Sequence, residues 1–329
     1  MRERVLITGA SGFAGYHLIE EALHNNLEVY AAIRKNSKVE HLKQLNITFI
    51  TLDYKNPAEL KDQLIDLNPD YIIHAAGIVS ARSQAEYNYV NATHTRNLAS
   101  AAVWEGSKLK KFVLISSLAA IGPLETLTGL INENTRPHPV TAYGRSKLLA
   151  EEQLRTVENL NYTILRPTAI YGPRDTGIFI FFKQLAKNGI EPYIGDAQQK
   201  LSFIYVKDVA KAAIKALHST NNEAYNLSDG NFYSRYELGD LTKEILGLKT
   251  IKFHLPVIFV KIIASVAEKV SSLSNKAAVL NTEKLNELMA VNWSCDIEKA
   301  KAELGFYPSY NLKAGLTETL KWYKANKWL

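Results

Sequence analysis

Apolar residues along this chain recur in two rhythms. Short runs that are apolar throughout read as strands buried on both faces, and they fall near Val5–Thr8, Val29–Ile33, Thr48–Asp53, Tyr71–Ala75, Phe112–Ser116 and Thr163–Leu165. Helical patterns separate them. Alternation of this kind, from Arg4 to about Arg166, predicts an α/β fold with a doubly wound parallel sheet covered by helices on both faces. After Pro167 the pattern loosens. Turn residues in Tyr171-Gly-Pro-Arg-Asp-Thr-Gly177 precede a helix, Phe203–Val206 with Asp208–Leu217 reads as a return to the sheet, and a mostly helical stretch closes the chain. The expected division is therefore interleaved, with residues 1–170 and 201–228 forming a nucleotide-binding domain and residues 171–200 and 229–329 a smaller substrate domain.

Composition narrows the class. A chain of 329 residues, 47% of them hydrophobic, is long enough for one large domain and an appendage. The first strand begins within a few residues of Met1, which leaves no room for a cleavable leader and points to a cytoplasmic protein. The net charge of +6 is spread over scattered Lys and Arg residues, so a nucleic-acid groove is not expected and anionic small molecules are sufficient explanation. Cys295 is the single cysteine and reads as an inert packed residue, and no metal motif accompanies it. Pro256–Val270 is too short to span a bilayer. Its polar residues Lys261, Ser265, Glu268 and Ser272 recur at helical spacing, which predicts a surface helix with a broad buried face and no stable membrane insertion.

The strand Val5–Thr8 runs directly into Gly9-Ala-Ser-Gly12-Phe-Ala-Gly15 and a helical segment, the arrangement of a dinucleotide-binding turn. Gly9 allows the turn, Gly12 admits a pyrophosphate close to the backbone, and Gly15 lets helix and strand pack. Ser11 and Phe13 complete the lip at the helix N-terminus, where free N–H groups await an anion. The residue that usually holds the ribose lies about 20 positions beyond the glycines. Here it is Arg34, followed by Lys35, and a guanidinium at that point suits a 2′-phosphate, so NADP is expected in preference to NAD. Asp53 is a candidate acceptor for the adenine amino group. Ala75 and Ala76 are small enough to lie against the cofactor, while His74 reads as a core histidine.

Tyr143-Gly-Arg-Ser-Lys147 puts a phenol and an ammonium on one helix face. A neighbouring cation favours the phenolate and is expected to lower the tyrosine pKa toward working pH, which makes the pair an acid–base catalyst. The same spacing recurs at Tyr323 and Lys327, where no cofactor segment is near; that copy reads as a solvated helix face. Ser117 follows the strand ending at Ser116, which carries its hydroxyl to the C-terminal edge of the sheet where it would bind the reacting oxygen, while Ser116 reads as occupied by local backbone bonding.

Taken together, Thr8-Gly9…Gly12…Gly15, His74-Ala-Ala, Ser116-Ser117, Tyr143…Lys147 and Leu165-Arg-Pro-Thr-Ala-Ile-Tyr-Gly-Pro173 resemble the extended short-chain dehydrogenase/reductase superfamily and its NAD-dependent epimerase/dehydratase family. The resemblance runs nearly end to end, through Phe203–Asp208 and Asp296…Pro308. It implies a Rossmann-type sheet, Tyr143 as acid/base, Lys147 as its electrostatic partner and ribose ligand, Ser117 as the oxygen-binding hydroxyl, and Asn91 as a mainly structural residue. It also implies that the stretch containing Pro167 and Thr168 lies along the nicotinamide carboxamide, and that a homodimer forms through the helices near Ala85–Val103 and Ala142–Val157. Relatives that act on nucleotide sugars commonly carry an arginine where this chain has Leu201, beside Lys200. With the apolar Ile178–Phe182 segment and the Pro256–Val270 helix as candidate walls of an apolar pocket, and a resemblance of the Arg-Pro run to dihydroflavonol reductases and 3β-hydroxysteroid dehydrogenases, this favours reduction of a non-nucleotide carbonyl compound. Nucleotide-sugar epimerisation or dehydration, and a non-catalytic cofactor-binding regulator, stay open as alternatives.

Overall fold

A computed structural model describes residues 2–195, 198–262 and 282–329. The sheet that the apolar runs predict is present. In chain order the elements are β1 (Arg4–Thr8), α1 (Phe13–His24), β2 (Glu28–Ala32), β3 (Thr48–Ile50), α2 (Pro57–Leu67), β4 (Tyr71–His74), α3 (Gln84–Asn88), α4 (His94–Ala101), β5 (Lys111–Ile115), α5 (Ala142–Arg155) and β6 (Tyr162–Pro167). There follow β7 (Ala169–Tyr171), α6 (Phe179–Lys183), β8 (Ile190–Ile194), β9 (Lys200–Leu201), β10 (Phe203–Tyr205), α7 (Val206–Ala216), β11 (Ala224–Leu227), β12 (Tyr233–Ser234), α8 (Glu237–Leu246), β13 (Ile251–Leu255), α9 (Thr282–Met289), α10 (Glu298–Leu304) and α11 (Leu312–Ala325).

Seven parallel strands pair in the order β11-β6-β5-β4-β1-β2-β3. Side-chain alternation explains why these runs are apolar throughout. Val5, Ile7, Val29, Ile73, Val113 and Leu165 face one layer, packed under Leu18 and Ile19 of α1 and Val209 and Ala213 of α7. Leu6, Ile72, Phe112, Leu114 and Ile164 face the other, under Leu60 and Leu64 of α2, Leu98 of α4 and Leu154 of α5. Each fully buried Leu or Ile of this kind contributes about 1.5–3 kcal/mol. The order reverses at β1 and β4, which opens a crevice at the carboxyl ends of those strands.

A third core is aromatic. Tyr171, Phe182, Phe203, Tyr205, Tyr233 and Tyr323 are buried together with Leu312, Leu316 and Leu320 of α11. Two readings are corrected here. Phe203–Tyr205 does not rejoin the main sheet: among the described residues β10 pairs with β7, and the strand that returns to the sheet is β11, beside β6. Tyr323 is not on a solvated face. It is fully buried, stacks on Trp328 at 5.3 Å between ring centroids, and donates its hydroxyl hydrogen to the region of the Asp175 carbonyl at 2.7 Å and the Gly172 carbonyl at 3.2 Å. Helical spacing alone places a residue on a face; it does not say what lies opposite. Within Ile178–Phe182, Phe182 joins this same core and Ile180 faces solvent.

The segment from Pro256 to Val270 is described only as far as residue 262. Residues 257–262 are helical, yet they bury Val260 and leave Ile258, Phe259 and Ile262 exposed, so the expected broad buried face is not what this part presents. Ser265, Glu268 and Ser272 lie outside the described residues. Among the described residues, no helix is long and apolar enough to cross a membrane.

Candidate functional site

At the crevice, β1 ends in a turn that only small residues can make. Gly9 sits at φ +68°, and a Cβ there would lie 2.6 Å from the Ala75 carbonyl oxygen; one on Gly15 would lie 2.2 Å from the Gly9 oxygen. The Gly12 N–H donates to the Gly9 carbonyl at 3.0 Å, and α1 then starts at Phe13 with no side-chain cap on its first N–H groups. Ser11 and Phe13 are half-buried beside it. Uncapped donors at a helix N-terminus, in a cradle that a Cβ would fill, fit a pyrophosphate. Ala75 and Ala76 form the facing wall. Arg34 stands exposed just beyond β2, its backbone N–H donating to Ser37 Oγ at 3.1 Å, and Lys35 is exposed beside it. Asp53 is half-buried beyond β3, with its carboxylate accepting from the Lys55 N–H at 2.9 Å. At the end of β6, Pro167 and Thr168 are buried, and the Thr168 hydroxyl has no partner among the described residues. A buried hydroxyl of that kind suits a polar group of a bound cofactor.

The three residues of the acid–base pattern meet at the same edge. Ser117 follows β5 in extended conformation, and its Oγ accepts from the Ala119 N–H at 3.2 Å. Thr141 caps α5 by accepting from the Gly144 N–H at 3.0 Å, which starts the helix one residue before Tyr143. Gly144 allows the close approach, since a Cβ there would lie 2.3 Å from the Ala119 oxygen. Tyr143 is half-buried and Lys147 is buried.

Their protonation departs from the simple expectation. Burial pushes the Tyr143 phenol up to about 12, a hydrogen bond with the Ser117 side chain opposes the rise, and Glu287 adds to it. Burial likewise brings Lys147 down to about 8, and its Nζ donates to the Ile115 carbonyl at 2.7 Å. The phenol pKa is thus raised rather than lowered. Desolvation of a phenolate in this setting outweighs the attraction of a cation that is itself desolvated and turned to a carbonyl.

A chain of buried polar groups links the glycine turn to α5. Thr8 Oγ1 lies 2.7 Å from His74 Nδ1, His74 Nε2 lies 3.0 Å from Thr95 Oγ1, and the Thr95 hydroxyl donates to the Asn91 carbonyl at 2.6 Å. Because that hydroxyl has already given its proton, Nε2 must carry the imidazole hydrogen and Nδ1 must accept from Thr8. Burial, with a smaller contribution from the Lys147 charge, brings His74 down to about 3, so it is neutral. Asn91 then donates to Ser146 Oγ at 2.9 Å, and Ser146 donates to the Tyr143 carbonyl at 2.7 Å.

Sequence reasoning missed two features. Ser116 is not spent on local backbone: it donates to Glu151 at 2.6 Å, and Glu151 also holds Arg166 through a bidentate pair, with Nη2 at 2.6 Å. Glu151 lies four residues after Lys147, a helical spacing that signals a shared face. The second is α9, which crosses the N-terminus of α5. Glu283 accepts from the Ala142 N–H and pairs with Arg145, while Glu287 lies near enough to Tyr143 to raise its pKa. No local pattern announces that contact. Cys295 is buried, its thiol pKa pushed up by burial, and no group of metal-binding side chains occurs among the described residues.

Comparison with known proteins agrees with this geometry. The profile of the NAD dependent epimerase/dehydratase family matches residues 5–228. The chain is 28% identical to a ceramide reductase of Caulobacter vibrioides over 99% of this chain and 96% of that protein. It is 26% identical to a decarboxylating sterol-4-alpha-carboxylate 3-dehydrogenase of Candida albicans over 97% of each. Among solved structures, UDP-glucose 4-epimerase of Thermotoga maritima with UDP-glucose superposes with a TM-score of 0.79 at 25% identity, covering 98% of this chain and 99% of that one.

Proposed function

The chain belongs to the NAD dependent epimerase/dehydratase family, and from that membership we propose that it reduces an uncharged, largely apolar ketone or aldehyde with a nicotinamide cofactor. The convergence of Ser117, Tyr143 and Lys147 beside the glycine turn carries the catalytic reading. In it, Gly9, Gly12 and Gly15 with Ser11 and Phe13 hold the pyrophosphate, Ala75 and Ala76 line the ribose, Asp53 meets the adenine, and Pro167 and Thr168 meet the carboxamide. When bound, the nicotinamide supplies the two-electron exchange with the carbon that bears the reacting oxygen. Ser117 hydrogen-bonds that oxygen and Tyr143, protonated through the physiological range, donates its hydroxyl proton to it. Lys147 offsets the negative charge left on Tyr143 Oη. Substrate enters between this edge and the smaller domain of residues 171–200 and 229–329.

Two observations support the substrate class. Leu201 packs against the aromatic core and Lys200 is exposed, so neither supplies a buried cation for a diphosphate. Glu287 instead brings negative charge toward Tyr143, which disfavours a phosphate or carboxylate there. The likeness to ceramide and sterol enzymes supports the same reading. Nucleotide-sugar epimerisation is the second reading, favoured by the superposition on the epimerase bound to UDP-glucose. Melting of the holoprotein separates them. Hydrophobic ketones are expected to raise Tm and to be turned over, whereas stabilisation by micromolar UDP-glucose without any response to ketones would install the epimerase instead.

The exposed Arg34 and Lys35 support NADP over NAD, because a guanidinium can hold a 2′-phosphate that an acidic residue would repel. In a fluorescence titration NADPH is expected to bind more tightly than NADH, with Arg34→Asp reversing the order. Tighter NADH binding by the wild type would refute the assignment. We also propose a homodimer through the α3, α4 and α5 faces, to be read by light scattering.

A further inference from the structure

Away from the crevice, β8 and β13 form a parallel pair whose two faces differ. The register sets Ile251 opposite Ile190, Phe253 opposite Pro192 and Leu255 opposite Ile194, so one face of the pair is apolar at all six positions. Between them, Glu191 and Tyr193 point inward and are buried. Among the described residues the apolar face is left open: Ile251 is 76% exposed and Phe253 52%. One residue after β13 the chain turns helical, and it adds Ile258 at 65%, Phe259 at 59% and Ile262 at 55%. Five large exposed apolar side chains within the twelve residues from Ile251 to Ile262 mark an interaction surface.

Charge indicates the partner. Lys187 precedes β8, Lys249 precedes β13 at the same end of the pair, and Lys261 lies in the helix between Phe259 and Ile262. All three are exposed, and none has an ion pair among the described residues. The acidic groups behind the pair are already neutralised: Lys243 holds Glu191 at 2.8 Å and Asp240 at 2.7 Å, and Lys252 holds Asp240 at 3.0 Å. Exposed apolar side chains flanked along the chain by lysines that have no ion pair among the described residues match the interface of an anionic bilayer, where the rings and branched chains enter the acyl boundary and the ammonium groups meet headgroup phosphates.

We propose that the outer face of the β8–β13 pair, with the helix over residues 257–262, docks this protein on an anionic lipid surface as a peripheral contact. The assignment does not depend on the substrate: it uses no residue of the crevice. Such a contact would bring the enzyme to any apolar carbonyl compound dissolved in the membrane.

The test is co-sedimentation of the full chain with vesicles of phosphatidylcholine alone and of phosphatidylcholine mixed with phosphatidylglycerol. Binding is expected to the mixed vesicles, weakening as salt rises. Lys249→Glu and Lys261→Glu should each weaken it roughly fivefold or more, as expected for a lysine near such a surface. Ile258→Asn with Phe259→Ser, and separately Ile251→Asn, should reduce it further while cofactor affinity stays at the wild-type value, which shows that the variants fold. The proposal is overturned if the wild type fails to sediment with the mixed vesicles at low salt. It is equally overturned if these variants bind as the wild type does, or if the apolar substitutions split an oligomer that never bound vesicles.

Discussion

Tyr143–Lys147 and Tyr323–Lys327 share one spacing and have little else in common. The first pair lies wholly within α5, at the carboxyl edge of the sheet, with Ser117 beside the phenol and the glycine turn reached through Asn91, Thr95 and His74. In the second, Tyr323 is sealed in an aromatic core, and Lys327 lies beyond the end of α11 at φ +59°, so the two are not on one helical face. A tyrosine becomes chemically available only where its oxygen reaches a crevice. Otherwise the same residue is a packing element whose hydroxyl must find a carbonyl.

The sharpest way to break the comparison is to remove both hydroxyls in turn. Tyr143→Phe should lower kcat by on the order of 10³-fold with cofactor affinity unchanged, a range typical of a lost general acid. Steady-state kinetics with a fluorescence titration measures both, and retention of most of the turnover would end the proposed role. Next come the glycines that seat each helix. Gly144→Ala would push α5 from the Ala119 carbonyl and displace Tyr143 from Ser117, lowering kcat by on the order of 10²-fold. Gly315→Ala, whose Cβ would lie 2.2 Å from the Tyr171 hydroxyl, should instead cost roughly 1–3 kcal/mol of stability with kcat per folded molecule unchanged. Denaturant melts and active-site-normalised rates distinguish the two results.

Acidity separates the pairs more gently. With Lys147 near 8 and Tyr143 near 12, the proton donor persists while the ammonium is lost as pH rises through about 8. The kcat/KM for carbonyl reduction should therefore be level below pH 8 and fall about tenfold per unit above it. Lys327→Met should leave that profile unmoved; a profile flat to pH 10 in the wild type would count against Lys147. The smallest effect is that of Tyr323→Phe. It leaves the Gly172 and Asp175 carbonyls without their donor and should cost about 1–2 kcal/mol in stability, read as a lower denaturation midpoint, with no change in kcat.

Much of the nucleotide half was legible because its determinants are local. The run Val5–Ile7 must be buried on both sides, Gly9 needs a positive φ, and Gly15 must lie against the Gly9 oxygen, so residue type at each position carries the constraint. Strand limits shifted by one to three residues. The third strand ends at Ile50 rather than Asp53, since beyond it the chain no longer pairs with β2. Less was legible after Pro167. Short segments there pair with partners far along the chain, as β7 does with β10 and β9 with β12, and no local rhythm selects between such partners and the main sheet.

By itself the sequence determined the parallel sheet, the glycine turn and the placing of Ser117, Tyr143 and Lys147 at one edge, because strand periodicity, backbone sterics and helical spacing act over a few residues. Only the tertiary structure decided what surrounds those groups. It buried Tyr323 and left Ile251 and Phe259 in solvent; it brought Glu283 and Glu287 of α9 to the start of α5; and it raised the Tyr143 pKa where a neighbouring lysine alone would lower it. Burial, desolvation and long-range charge depend on what the rest of the chain places across from a residue, and that information is not carried by its neighbours in sequence.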